Sequence, residues 1–279
     1  MRAVLLLGYG SPDKIEDVRE YYKNILGGRP AREEAIRELE RRYEVIGSSP
    51  FNRIVKSIAL KLEGELPRDY RVLIGMKNWK PYIRDVLEEL KEFDEIMAIA
   101  LTPFYSKFHT ERYFSELQEV INQGSNLRII KQWFDSPFLK DAWINVIRES
   151  MCELYNVIFT AHSLPEADDD PYREQFEHLV KEIVDGTGIK NWYIAFQSKH
   201  MNARGEWLGP DIDEVVHRLQ SERVKKITIV PAGFTLDSLE VLYDLDHELP
   251  EKFPETHFCR IETLNDRDDF IKVLRSLVQ

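Results

Sequence analysis

Two stretches hold side chains whose types and spacing could do chemistry. In VIFTAHSLPE, residues 157–166, an apolar run ends on His162, and Ser163 and Pro165 fix the loop behind it. A short apolar run before a polar break reads as a buried parallel strand, and ligands of open α/β sheets gather at the carboxyl ends of such strands. An imidazole at that place titrates near neutral pH, so it can take up a proton or face a metal. In TLDSLEVLYDLDHELPEKF, residues 235–253, Leu236, Leu239, Leu242 and Leu249 form an apolar helical stripe. Glu240, Asp244 and Glu248 fall at i, i+4 and i+8 and share another face. Like charges at that spacing cost a helix about a few tenths of a kcal/mol per pair. The row is either a solvated acidic face or a set of carboxylates that draws in a hard divalent cation or passes protons along.

A third stretch, QSKHMNARGEWLGPDIDEV at 197–215, has turn signals at Gly205, Gly209 and Pro210. Its Trp207 reads either as a loop anchor packed on the core or as a wall for a flat apolar ligand. His178 and His217 sit in charged helical patterns and read as solvated. The early turn GYGSP, residues 8–12, lacks the spacing of a dinucleotide fingerprint. No GxxxxGK[ST], GxSxG or HExxH segment occurs, which removes the common nucleotide hydrolases, the nucleophile-elbow hydrolases and the zinc proteases.

These side chains need elements to carry them. Apolar strand-like runs recur at 3–8, 70–76, 95–102 and 127–133, then at 156–161, 192–197, 226–232 and 257–261. Between them lie helical patterns with apolar spacings of three and four, such as PYIRDVLEELKEF and PYREQFEHLVKEIV. This alternation predicts an α/β protein of two similar Rossmann-like, doubly wound parallel-sheet halves. We expect an N-terminal half over 1–145, a C-terminal half over 146–266, a hinge helix at 137–150 and a last helix, 267–279, packing back as a brace. The loops after the strands would then line a cleft between the halves.

A chain of 279 residues with 43% hydrophobic and 31% charged residues can bury a core of this size. Its formal net charge of −11, without a basic block, argues against nucleic acid as a partner and suits metal cations. The apolar start AVLLLG is too short for a signal peptide and reads as a first strand, and no eighteen-residue apolar run suggests a membrane span. A cytoplasmic monomer is expected. Cys152 and Cys259 stand far apart with no CxxC, so neither a disulfide framework nor a cysteine-bound zinc or iron–sulfur site is expected.

Taken together, the segments LLLGYGSPDKIEDVREYY, RYEVIGSSP, VLIGMKNWKPYIRDVLEEL, FTAHSLP, DPYREQ, WLGPDIDEV and VPAGFTLDSLEVLYDLDHE resemble the ferrochelatases. The resemblance runs through nearly the whole chain. It implies two Rossmann-like halves with a porphyrin cleft between them, and Fe²⁺ as substrate rather than as a resident cofactor. It implies that His162 faces the metal and accepts protons, that Glu240 lies opposite, and that Asp244 and Glu248 continue an exit row for protons or metal. By position in the matching motifs, Arg42, Tyr43, Ser49 and Tyr113 are candidate substrate contacts. Relatives have an arginine-rich turn where this chain reads ILGGRP, and Arg29 is the candidate propionate contact there. Asn78 stands where some relatives have a histidine.

The resemblance leans toward the coproporphyrin III type. The first helix, IEDVREYYKNI, is polar and tyrosine-rich where the protoporphyrin IX type often carries an apolar lip, and the chain ends in LRSLVQ without a cysteine cluster. Tyr9 matches a tyrosine that in the coproporphyrin type can bind the product iron from the face away from His162, and a phenolate suits ferric iron. The other reading of Tyr9 is a residue packed under a loop with its hydroxyl on a backbone carbonyl. A protoporphyrin IX enzyme, a cobaltochelatase and a non-catalytic tetrapyrrole carrier stand as rivals. The cobaltochelatases fit less well, because their early GHGS-type segment is GYGS here.

Overall fold

The computed structural model describes residues 1–117, 126–199 and 205–279, so His200 and its neighbours in the loop 197–215 lie outside the described residues. The described elements run β1 (Arg2–Gly8), a 3₁₀ turn (Ile15–Asp17), α1 (Val18–Ile25), α2 (Glu33–Ile46), α3 (Phe51–Glu65), β2 (Tyr70–Met76), α4 (Ile83–Leu90), β3 (Glu95–Ala100), α5 (Glu111–Phe114) and β4 (Asn126–Ile130). They continue with α6 (Pro137–Glu149), β5 (Val157–His162), α7 (Tyr172–Thr187), β6 (Trp192–Gln197), α8 (Ile212–Ser221) and β7 (Lys226–Val230). Last come a π-helix (Glu240–Glu248), α9 (Leu249–Lys252), β8 (His257–Arg260) and α10 (Asp268–Val278).

The strands form two four-stranded sheets, ordered β2-β1-β3-β4 and β6-β5-β7-β8. All pairings are parallel, with Leu6 opposite Ile74 and Ile99 in one sheet and Phe159 opposite Ile194 and Val230 in the other. The two orders are the same pattern repeated. In each sheet the first strand sits inside and the chain leaves it toward both edges, which puts a topological switch point beside β1 and beside β5.

Strands buried on both faces read as continuous apolar runs, and β1 (RAVLLLG) is buried from Ala3 through Gly8. Its alternate residues serve two cores. Leu5 and Leu7 meet Ile83, Val86 and Leu87 of α4, whereas Val4 and Leu6 join a core with Val55, Ile58 and Leu62 of α3. That second core passes through Leu139 and Trp143 of α6 to Phe159 of β5 and Phe176 of α7, so one apolar body underlies both sheets. Phe270 and Leu274 of α10 belong to it too, and α10 packs on α3 and α6.

Four strands end sooner than their apolar runs, β8 by only one residue. β3 stops at Ala100 and β7 at Val230, shortly before Pro103 and at Pro231, which have no N–H to continue a ladder. β4 stops at Ile130, and beyond it the Trp133 amide turns to the Pro103 carbonyl at 2.9 Å. The acidic helix differs from expectation in kind: 240–248 winds as a π-helix with only 249–252 α-helical after it. Apolar spacings of three and four cannot tell the two windings apart, and π segments concentrate at functional sites.

The cysteine expectation is corrected. Cys152 and Cys259 form a disulfide across a Cα–Cα distance of 5.7 Å. Their 107-residue separation gives no signal in sequence. The fold brings them together because β8 lies beside β7, next to the segment that enters β5.

Candidate active site

The strand ends gather the candidate residues. Tyr9 follows the last residue of β1, in a turn that the neighbouring elements latch. The Asn52 side chain accepts from the Ser11 amide at 3.2 Å and donates to the Ser11 carbonyl at 2.5 Å. The Tyr21 hydroxyl donates to the Gly10 carbonyl at 3.1 Å, and Trp79 Nε1 donates to Asp13 at 3.1 Å. Gly10 has φ +82, and a Cβ there would lie 3.0 Å from Trp79, so glycine is required on both counts. The Asn78 amide donates to the Tyr9 carbonyl at 2.9 Å. Tyr9 is partly exposed, and no backbone carbonyl takes its hydroxyl among the described hydrogen bonds. Burial and the Glu240 carboxylate raise its pKa, while Arg112 and Asn78 pull the other way.

His162 ends β5 and is likewise partly exposed. Its Nδ1 lies 2.6 Å from the Ser163 carbonyl oxygen. A carbonyl only accepts, so Nδ1 carries the hydrogen, and Nε2 of the neutral ring is the free base. Behind it, Ser163 Oγ donates to the Leu208 carbonyl at 2.7 Å, and Trp207 pairs across a short bridge with Pro165. The Trp207 indole N–H is buried with no acceptor among the described residues. The loop after β7 presses on the same strand: the Gly233 amide donates to the Thr160 carbonyl at 2.9 Å, and a Cβ on Gly233 would lie 2.4 Å from the Ala161 Cβ.

Glu240 opens the π-helix. Gln197, at the end of β6, donates from its Nε2 to the Glu240 carbonyl at 2.9 Å, and Ser198 donates its hydroxyl to Asp244. Ser198 holds φ 61, a left-handed conformation that few non-glycine residues adopt without a reason. Gln197 and Ser198 brace the acidic helix. Both are strand-end residues in the sequence reading, which gave neither a role of its own. Asp244 is pushed up to about 7, chiefly by burial, with the Glu240 and Glu248 charges adding and Ser198 and Arg42 opposing. Arg42 reaches Asp244 at 3.5 Å and Glu248 at 3.8 Å, so the acidic row keeps a common side in the wider winding.

The predicted substrate contacts divide. Arg42 joins the acidic row. Tyr43 is buried, with its hydroxyl 3.0 Å from Ser11 Oγ, under the Tyr9 turn. Ser49 accepts from the Phe51 amide at 3.3 Å at the start of α3. Tyr113 is 2% exposed, and its hydroxyl lies 2.7 Å from His109 Nε2. Arg29 is exposed and donates to the Leu26 carbonyl of its own turn at 2.9 Å, apart from the others. His109 was not singled out by sequence, yet it touches Tyr9, with ring centroids 5.9 Å apart. Its pKa is pushed down to about 3, chiefly by burial and further by His162 and Arg112. His178 and His217 are exposed, each edge-on to a phenylalanine. Among the described residues no three His, Cys, Asp or Glu side chains form a ready metal cage.

Two parallel sheets of repeated order, with facing strand-end loops, define a two-lobed α/β fold shared with tetrapyrrole chelatases. The chain superposes on the sirohydrochlorin chelatase SirB of Bacillus subtilis subspecies spizizenii in complex with cobalt, with TM-score 0.60 and 9% identity, covering 98% of this chain and 91% of that one. SirB from Bacillus subtilis with Fe³⁺ gives TM-score 0.61 and 12% identity, covering 99% and 94%. At such identities the likeness concerns the fold. The family model described as Ferrochelatase matches residues 1–279. A ferrochelatase of Thermoplasma acidophilum is 35% identical, over 95% of this chain and 86% of its own length. The coproporphyrin III ferrochelatase 2 of Bacillus cereus strain ZK / E33L is 34% identical, over 99% and 92%. The chain belongs to the ferrochelatase family and is an enzyme of that kind. No helix among the described residues is long and apolar enough to cross a membrane.

Proposed function

We propose that this protein inserts Fe²⁺ into coproporphyrin III, releasing the two pyrrole N–H protons as the metal enters. The observation that carries the reading is the pairing of two groups at matching strand ends: Tyr9 after β1 and His162 at the end of β5. His162 offers Nε2 as a base, because its Nδ1–H is held by the Ser163 carbonyl. It takes a pyrrole proton as the metal passes. Glu240 stabilises the incoming dication beside the ring centre. Asp244, poised at about 7, can give and take a proton at neutral pH, and with Glu248 it forms an exit steadied by Arg42. Once an external oxidant such as dioxygen takes one electron from the ferrous product, Tyr9 gives up its hydroxyl proton and supplies a phenolate oxygen to the ferric porphyrin. Relatives at 31% to 34% identity that carry the name coproporphyrin III ferrochelatase support this choice of porphyrin. The tyrosine-lined first lobe, with Tyr21 and Tyr43 beneath Tyr9, supports it as well.

The test mixes purified protein with Fe²⁺ and either coproporphyrin III or protoporphyrin IX under anaerobic conditions and follows the absorbance bands. Turnover well beyond one equivalent, faster on coproporphyrin III, is expected. Uptake that stops at one equivalent would point to a carrier, and faster turnover on protoporphyrin IX would overturn the substrate.

A further inference from the structure

Each half of the molecule presents a polar group after its first strand and another after its third. In the second half these are His162, ending β5, and Glu240, about ten residues beyond β7. The first half has the same strand order, and there Tyr9 follows β1 while His109 follows β3. His109 thus follows its third strand by about as many residues as Glu240 follows the third strand of the second sheet. Tyr113, by contrast, is withdrawn: it is buried, and among the described residues its hydroxyl meets only His109 Nε2, at 2.7 Å. A buried O–H without an acceptor is costly, so the hydroxyl proton goes to Nε2. Nδ1 then carries the ring hydrogen. The imidazole is partly exposed, edge-on to Tyr113 with centroids 5.1 Å apart, and tilted 35° against Tyr9.

We propose that His109 is a positioning residue for Tyr9. Locked in one tautomer by Tyr113, its ring fixes the tilt of the Tyr9 phenol and keeps one N–H on that side of the cleft, so that the phenolate meets ferric product at one angle. The proposal rests on the reading of Tyr9 as a product ligand, and the experiment separates the two.

Ferric coproporphyrin III is added to the wild-type protein and to Tyr9→Phe, His109→Phe, His109→Gln and Tyr113→Phe. Optical and electron paramagnetic resonance spectra of each complex are recorded, with the affinity for ferric and for metal-free porphyrin. Tyr9→Phe should abolish the phenolate-to-iron band. His109→Phe keeps a flat ring but loses the hydrogen bond. It should shift that band and weaken ferric product binding about tenfold, the scale of one hydrogen bond, with metal-free porphyrin binding within twofold. His109→Gln, which can still accept from the Tyr113 hydroxyl but has no ring to set the Tyr9 tilt, should recover affinity only in part and leave the band shifted. Tyr113→Phe removes a single oxygen and should shift the band as His109→Phe does, deciding the matter if the latter fails to fold. A wild-type band and affinity in both His109→Phe and Tyr113→Phe, with the band lost in Tyr9→Phe, would overturn the role of His109 alone. An unchanged spectrum in Tyr9→Phe would overturn the ligand reading and this proposal with it.

Discussion

His162 and Glu240 are each held through an atom other than those the proposed mechanism uses. His162 is fixed through Nδ1 by a backbone carbonyl, and Glu240 is fixed through its own carbonyl by Gln197. Each therefore leaves free the atoms that the proposed mechanism uses. His162→Ala should lower metal insertion at least about a hundredfold, the usual worth of a positioned base, with porphyrin affinity kept. Near-normal turnover would remove His162 from the mechanism. Glu240→Gln should be as damaging, because an amide neither accepts a proton nor holds a hard dication well. Asp244→Asn should slow insertion without stopping it, and loss equal to that of Glu240→Gln would make Asp244 a direct ligand. Asp244 also makes a stability prediction. Its pKa near 7, against an ordinary 3.8, means that the folded protein holds a proton which the unfolded chain has already lost between pH 4 and 7. Stability contributed by this group therefore falls as pH rises through that window. Asp244→Asn should gain about 2–4 kcal/mol over the wild-type protein at pH 8 and little at pH 4, as read from urea denaturation at both values.

At the scale of elements, two loops and one helix do the placing. The turn after β1 is built from Gly10, Ser11 and their partners Asn52, Tyr21 and Tyr43, contributed by α1, α2 and α3. The loop after β7 lies so close to β5 that Gly233 cannot carry a side chain without moving Ala161, the residue before His162. Gly233→Ala should cost about 1–3 kcal/mol of stability, as overpacking does, and should lower insertion more than porphyrin binding, because it displaces the base and not the cleft walls. Equal losses in both, measured as kcal/mol from kcat/KM and from Kd, would show that the loop shapes the cleft instead. The π-helix depends on Gln197 and Ser198 in the same way. Gln197→Met keeps the volume and removes the donor to the Glu240 carbonyl, so it should impair insertion while leaving the cooperative unfolding transition in place.

On the scale of the whole molecule, one apolar core runs beneath both sheets, and polar ties cross between the halves. Thr235, before the π-helix, donates to the Leu101 carbonyl just after β3 at 2.5 Å, and Ser106 donates to Asp170 at 2.9 Å. The disulfide between Cys152 and Cys259 binds the segment entering the second sheet to that sheet's edge strand. It closes a loop of 107 residues, for which chain-entropy reasoning gives about 2–5 kcal/mol of stabilisation. Replacing both cysteines by alanine should lower the unfolding free energy by that amount, and reductant should do the same to the wild-type protein. Insertion should change by less than about twofold, because the bond lies away from the strand ends that carry the site. A reductant-insensitive denaturation curve would remove the disulfide from the account.

The local pattern of the chain determined a good deal. Eight apolar runs announced eight parallel strands within a few residues, because a doubly covered strand has no polar face to disguise it. His162 was legible as a strand-end residue, and the acidic triplet was legible from its spacing of four. Strand-end signals such as Pro103 and Pro231 were present in the sequence but were outweighed by the apolar runs around them. The rest depended on which distant segments meet. That Cys152 reaches Cys259, that Gln197 and Ser198 brace Glu240 and Asp244, and that His109 caps Tyr113 beside Tyr9 are contacts that only the placing of whole elements and connections relative to one another brings about. The winding of 240–248 belongs with them, since α and π turns place apolar residues at spacings too similar to separate on paper. Periodicity reports which face of an element is buried, and only packing reports what it is buried against.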